Sequence, residues 1–141
     1  MLKGIPSILP PELLKILMEM GHGDTIVIGD GNFPGASMAQ RLVRCDGIGA
    51  SALLDAVLQL MPLDSYAEYQ VQLMEVVPGD DYVPEIWENY KQIIGKHEPV
   101  HNKIGYTERF AFYDCAKQAY AVVQSGETAL YANLLLRKGV L

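Results

Sequence analysis

His22 sits between Gly21 and Gly23, and Asp30 ends the apolar run "TIVIG" at residues 25–29. An imidazole titrates near neutrality and suits a general acid or base. The flanking glycines let the backbone turn sharply and present the ring from a loop. The plainer alternative is a capping or solvent-facing histidine after a helix. Asp30 stands where α/β sheets line their ligand crevice, just past the carboxyl end of a strand. A carboxylate there can grip a ligand hydroxyl or take a proton. It can equally open an Asx turn. If the whole segment from His22 to Asp30 were extended, the two would stand about 25 Å apart, at ~3.3 Å per residue. They then meet one small substrate in either of two ways. The "GHGD" segment folds back, or the site is built between copies in a ring-like homo-oligomer with heterologous contacts.

A second set of candidates lies near the carboxyl terminus. If "ALYANLLLRKGV" (129–140) is a strand, side-chain alternation puts Tyr131, Asn133, Leu135 and Arg137 on one face. Leu130, Ala132, Leu134 and Leu136 take the other. Tyr131 and Asn133 carry groups that both donate and accept, which suits hydroxyl binding. Ala132 is small enough for a ligand to approach its backbone. The alternative is the exposed polar face of an edge strand. Arg109 could clamp an oxygen-rich ligand, or form an ordinary surface ion pair.

Other patterns are weaker. His97 and His101 have the spacing of two metal ligands on a helix, but Pro99 between them disfavours a regular helix. We expect no metal there and read both as solvated loop residues. "GDGNFPG" imitates a dinucleotide loop but lacks the G-x-G-x-x-G spacing. Neither a G-x-S-x-G elbow nor a P-loop occurs.

The elements that must position these residues follow from periodicity. Pro11 opens a helix over 11–20, with Gly21 as its expected cap. "TIVIG" predicts a strand buried on both faces, and 30–37 a loop. "RLVRC" (41–45) and "YQVQLMEVV" (69–77) are strand candidates. Helices are predicted over 51–61, 84–97 and 107–118, the last with Thr107 as a possible cap. "AYAVVQ", "SGET" and "ALYANLLLRKGV" together predict a terminal β-hairpin. We expect a single three-layer α/β domain over 1–141, with a mixed β-sheet, helices packed on it and a C-terminal β-hairpin.

The chain has 141 residues, half of them hydrophobic, and a formal charge of −6. It holds no basic run, so neither nucleic acid nor an anionic membrane is an expected partner. The N-terminus is not a signal peptide, and no apolar run is long enough to span a bilayer. Cys45 and Cys115 share no C-x-x-C motif and read as reduced, buried thiols of a cytosolic protein.

Three separated stretches carry a resemblance: "PELLKILMEMGHGDTIVIGDGNFPGAS", "LDSYAEYQVQLMEVVPGDD" and "ERFAFYDCAKQAYAVVQSGETALYANLLLRKGV". Together they resemble the L-fucose mutarotase branch of the RbsD/FucU family. The resemblance implies an RbsD-like fold and interconversion of α and β sugar anomers without a cofactor. It implies a cytoplasmic decamer of stacked pentameric rings, with sites between neighbouring subunits. It matches His22 to the family's proton donor, Asp30 and Arg109 to site residues, and Tyr131–Asn133 to a Y-G-N segment. The glycine of that segment is Ala132 here, and Asn32 stands where some members carry histidine. On this reading His22 is catalytic, Asp30, Arg109, Tyr131, Ala132 and Asn133 bind L-fucose, and Asp24 could orient His22. Related pyranoses and ribose forms are further possible substrates. The rival readings are a non-catalytic monosaccharide-binding or transport-accessory protein, and a small nucleotide-binding domain.

Overall fold

Ile26, Val27 and Ile28 are all fully buried, as a strand covered on both faces requires. The computed structural model describes residues 1–141. In chain order the elements are α1 (Pro11–Glu19), β1 (Thr25–Gly29), α2 (Gly35–Met38), β2 (Leu42–Cys45), α3 (Ala50–Leu58) and β3 (Val71–Met74). They continue with α4 (Ile86–His97), β4 (Ile104–Thr107), α5 (Arg109–Gln118), β5 (Ala121–Ser125) and β6 (Leu134–Arg137). The strands form one six-stranded sheet, ordered β2-β5-β1-β6-β3-β4. All neighbours run parallel except β6, which is antiparallel to both β1 and β3.

The three layers follow from side-chain alternation. Ile26, Ile28, Leu134, Leu136, Val71 and Leu73 point to one face and join the larger core. Leu13 of α1, Leu53 and Leu54 of α3, and Tyr90 and Ile94 of α4 fill that face. Val27, Val122 and Leu135 point the other way, onto Phe112 and Ala116 of α5 and onto Phe33. Both faces of the central strands are therefore dry. None of the helices is long and apolar enough to cross a membrane.

The expected terminal hairpin does not form. β5 and β6 do not pair with each other, because β1 lies between them. Residues 126–133 pass over the end of β1 as a loop. Ser125 Oγ donates to the Gly29 carbonyl at 2.6 Å, and the Gly31 amide donates to the Glu127 carbonyl at 2.8 Å. An entirely apolar strand gains most from two full partners, and β1 takes one from each side.

Several helix ends differ from the sequence reading: α3 stops at Leu58 and not at 61, α4 begins at Ile86 and not at 84, and α1 and α5 are capped by other residues than expected. Met20 is extended and ends α1, while Gly23, not Gly21, takes the left-handed conformation at φ 85°. Thr107 belongs to β4, and Glu108 caps α5 by accepting from the Phe110 and Ala111 amides at 3.0 Å. A carboxylate there also complements the positive helix terminus. His97 is no solvated loop residue: it closes α4, with Nε2 2.8 Å from Asp55 on α3. That contact, with Lys96, lowers the Asp55 pKa to about 2. His101 lies in the exposed loop beyond. Both cysteines are free; Cys45 is buried, but Cys115 is only half-buried.

Candidate functional site

The chain leaves β1 at Asp30, and the carboxyl end of that strand opens into a cavity of about 280 Å³. Asp30, Asn133, Arg109 and Tyr131 line it, together with Met74 and Asp80. Four of the six site residues expected from sequence thus converge from three directions. β1 supplies Asp30, the start of α5 supplies Arg109, and the segment before β6 supplies Tyr131 and Asn133.

Asp30 and Asn133 are the most enclosed of the four, each at 5% exposure. The Asp30 Oδ1 accepts the Asn32 amide at 2.9 Å, the Asx turn foreseen as an alternative. Its backbone amide donates to Asn133 Oδ1 at 2.7 Å, and Gln124 donates to its carbonyl. Burial pushes the Asp30 carboxyl above its ordinary range, against the opposing amides of Asn32, Ala132 and Phe33. The Asp30 backbone and one of its carboxyl oxygens are thus held by hydrogen bonds.

Asn133 spends its amide on the protein. Its oxygen holds Asp30, and its nitrogen faces Met74 Sδ at 3.8 Å. Tyr131 lies outside β6, in a left-handed backbone conformation at φ 56°. The strand alternation expected from 130 onward therefore applies only from Leu134, where β6 begins. A bulky residue at positive φ is strained, and such positions persist where surroundings over-determine them. Here Trp87 Nε1 donates to the Tyr131 carbonyl at 2.8 Å, and Tyr90 donates to the Ala132 carbonyl at 2.7 Å. Ala132 does not line the cavity. Its side chain is fully buried in the larger core, and its amide faces Asp30.

Arg109 forms no surface ion pair. Its Nε donates to the Tyr113 hydroxyl at 3.1 Å, and the guanidinium lies 5.5 Å from the Phe110 and Tyr113 ring centres. Its other guanidinium nitrogens make no hydrogen bond within the chain, and the residue lines the cavity.

His22 is elsewhere. Residues 21–24 do turn, with the Asp24 amide on the Gly21 carbonyl at 3.2 Å. The turn does not bring His22 to Asp30, since β1 still separates them by five residues, on the order of 17 Å. His22 lies in a second, open groove with Asp64, Tyr66, Tyr69, Gln72 and Arg137. Its Nε2 is 3.0 Å from Asp64 Oδ1, and its ring centre is 5.8 Å from that of Tyr66. Asp24 is not its partner; Asp24 Oδ2 accepts the Gly21 amide instead, at 2.8 Å.

Sequence reasoning missed Asp64, Asp80 and Gln124. Asp64 and Asp80 fall inside the quoted "LDSYAEYQVQLMEVVPGDD" stretch, but the side chains they hold, His22 and Tyr131, lie 42 and 51 positions away. Gln124 was hidden in an otherwise apolar strand.

Residues 3–141 match the model of the RbsD / FucU transport protein family. A protein from Actinobacillus pleuropneumoniae serotype 5b, L-fucose mutarotase, is 47% identical over 140 residues, covering 99% of this chain and 97% of its own. The human fucose mutarotase is 49% identical over 146 residues, covering 99% of this chain and 94% of its own. The crystal structure of the Streptococcus pneumoniae fucose mutarotase in complex with L-fucose is 54% identical. It covers 99% of both chains, with a TM-score of 0.95. RbsD of Bacillus subtilis, complexed with D-ribose, is 24% identical with a TM-score of 0.75, a likeness of fold.

Proposed function

The chain belongs to the RbsD/FucU family, and from that premise we propose that it is an isomerase interconverting the α and β anomers of L-fucose. The observation that carries this reading is the cavity at the end of β1. It gathers Asp30, Asn133, Arg109 and Tyr131 in a chain 54% identical to a fucose mutarotase with L-fucose bound.

Mutarotation opens and recloses the sugar ring. A base takes the proton of the anomeric hydroxyl, the C1–O5 bond breaks, and O5 receives a proton. An aldehyde forms at C1. Rotation about C1–C2 exposes its other face, and the same transfers run backwards. Atoms and electrons balance within the sugar, so two positioned proton-transfer groups suffice. Each is typically worth ~10²–10⁴-fold. His22 is the acid–base group. Asp30, buried and raised in pKa, orients a hydroxyl or takes the second transfer. Arg109 and Tyr131 hydrogen-bond the sugar, and Asn133 holds Asp30 in place.

His22 and Asp30 flank opposite ends of one strand, which supports a site shared between copies. The groove of one subunit carries His22 to the cavity of the next. Such a head-to-tail contact closes into a ring, and a decamer of two pentameric rings is the assembly in this reading. Tyr66, Val83, Val100 and Phe110 are each at least 65% exposed, an apolar surface suited to burial against another copy. The reading places the enzyme in the cytoplasm.

The test is NMR magnetization exchange between the anomeric protons of L-fucose, with D-ribose and D-galactose in parallel. Faster exchange of L-fucose is the expected result. Tight binding without faster exchange would instead identify a sugar-binding protein.

A further inference from the structure

We propose that Asp64 is the positioning residue of His22. It accepts the Nε2 proton and leaves Nδ1 as the nitrogen that exchanges protons with the sugar. The inference rests on the acid–base role given to His22 above.

Asp64 is 6% exposed. A carboxylate so enclosed requires partners. Its Oδ1 meets His22 Nε2 at 3.0 Å and the Tyr66 amide at 3.0 Å. Burial opposes ionisation. The His22 and Tyr66 hydrogen bonds and the nearby Arg137 charge outweigh it and hold the carboxyl below its usual range. An ionised carboxylate can only accept, so Nε2 must carry the hydrogen. Nδ1 has no hydrogen-bond partner within the chain.

Main-chain bonds fix where the two groups meet. The Asp64 amide donates to the Arg137 carbonyl at 3.0 Å, and Gln70 donates to the Asp64 carbonyl at 3.0 Å. On the other side, the Gly23 amide donates to the Lys138 carbonyl at 2.9 Å, and Arg137 donates to the Gly23 carbonyl at 3.0 Å. Both loops are thus registered on the same two residues at the end of β6. These bonds place the two loops side by side, and the Asp64 carboxylate is the one hydrogen-bond partner that holds the ring itself. The remaining titratable or charged groups at this groove are Glu68, Tyr66, Tyr69 and Arg137, with Asp24 at the base of the loop.

The experiment joins ¹⁵N NMR of the His22 imidazole with anomer-exchange kinetics on the full chain. In the wild-type protein, neutral His22 is expected as the Nε2–H tautomer. Asp64→Asn keeps an oxygen acceptor but not the charge; it should weaken that tautomer preference and lower kcat about 10²-fold, the scale of a misplaced catalytic group, with KM little changed. A wild-type Nδ1–H tautomer overturns the inference, and that readout does not depend on any variant folding. A full kcat in Asp64→Asn overturns it too. His22→Ala separates the two claims. An unchanged rate there sinks the acid–base role itself. A reduced rate there, beside a full rate in Asp64→Asn, sinks only the role of Asp64.

Discussion

Tyr131 donates its hydroxyl to Asp80 at 2.6 Å, joining the turn after β3 to the segment before β6. Asp80 is itself oriented by the Tyr82 amide at 2.9 Å, and the Tyr82 ring centre lies 5.9 Å from that of Tyr131. The Tyr131 bond and the Tyr82 amide hold the Asp80 carboxyl below its usual range, and Asp80 in turn holds the phenol above its own. The phenol proton is therefore committed to Asp80, and the phenol oxygen is left to accept a hydroxyl from the ligand.

Tyr131→Phe should reduce kcat/KM for L-fucose anomer exchange about tenfold, the scale of one hydrogen bond to a charged network. Asp80→Asn keeps an acceptor for the phenol and should cost less. Rates measured side by side by NMR exchange decide this. A Tyr131→Phe protein with the wild-type rate would remove the hydroxyl from the site.

Asp30→Asn should separate stability from activity. The folded state raises the Asp30 pKa, so the native protein holds this proton more tightly than the unfolded chain does. Stability contributed by the group is present below its ordinary pKa and declines as pH rises through the folded value. The asparagine variant escapes that loss. It should melt at or above the wild-type temperature at pH 7 while anomer exchange falls ~10²-fold or more. Thermal melts at pH 4 and pH 7 measure the first part; a lower melting temperature at pH 7 would contradict it.

Complementation tests the shared site. His22→Ala and Asp30→Asn chains should each be nearly inactive alone. Co-expressed in equal amounts and assembled together, they should recover activity in about one quarter of sites, those drawing an intact half from each neighbour. If each chain builds its site alone, mixing restores nothing.

Asp55 joins α3 to α4 through His97 and Lys96, and its pKa falls to about 2. A depressed carboxylate contributes stability above its ordinary value near 3.8 and loses it as pH falls through about 2. Asp55→Asn should therefore be less stable than wild type at pH 6, by ~0.5–1 kcal/mol for so exposed a pair. Urea titrations at pH 6 and pH 2 should show that gap closing at the lower pH.

Much of the scaffold was legible in local pattern. β1 announced itself as a short β-branched run, and α1 and α4 by apolar residues at helical spacing. β4 did not: "IGYT" has a glycine and alternates little, and its place at the sheet edge leaves Tyr106 exposed. The hairpin expected from "SGET" failed because turn composition describes a bend and not the strand that follows it. The candidate site was legible in part. The residue types at 22, 30, 109, 131 and 133 were visible, but Tyr131 precedes the strand and reaches the cavity from a left-handed turn instead of a strand face.

The sequence by itself determined a mixed α/β domain and a set of groups suited to hydroxyls and proton transfer. These follow from short-range preferences, which act within a turn of helix or a few strand residues. Only the tertiary structure decided the partners. It gave Asp64 to His22 across 42 positions, Asp80 to Tyr131 across 51, and Asn133 to Asp30 across 103. It also set His22 and Asp30 at opposite ends of β1. Pairings at such separations are selected by the packing of whole layers and by the need to satisfy buried polar groups, and neither is written in any local stretch of the chain.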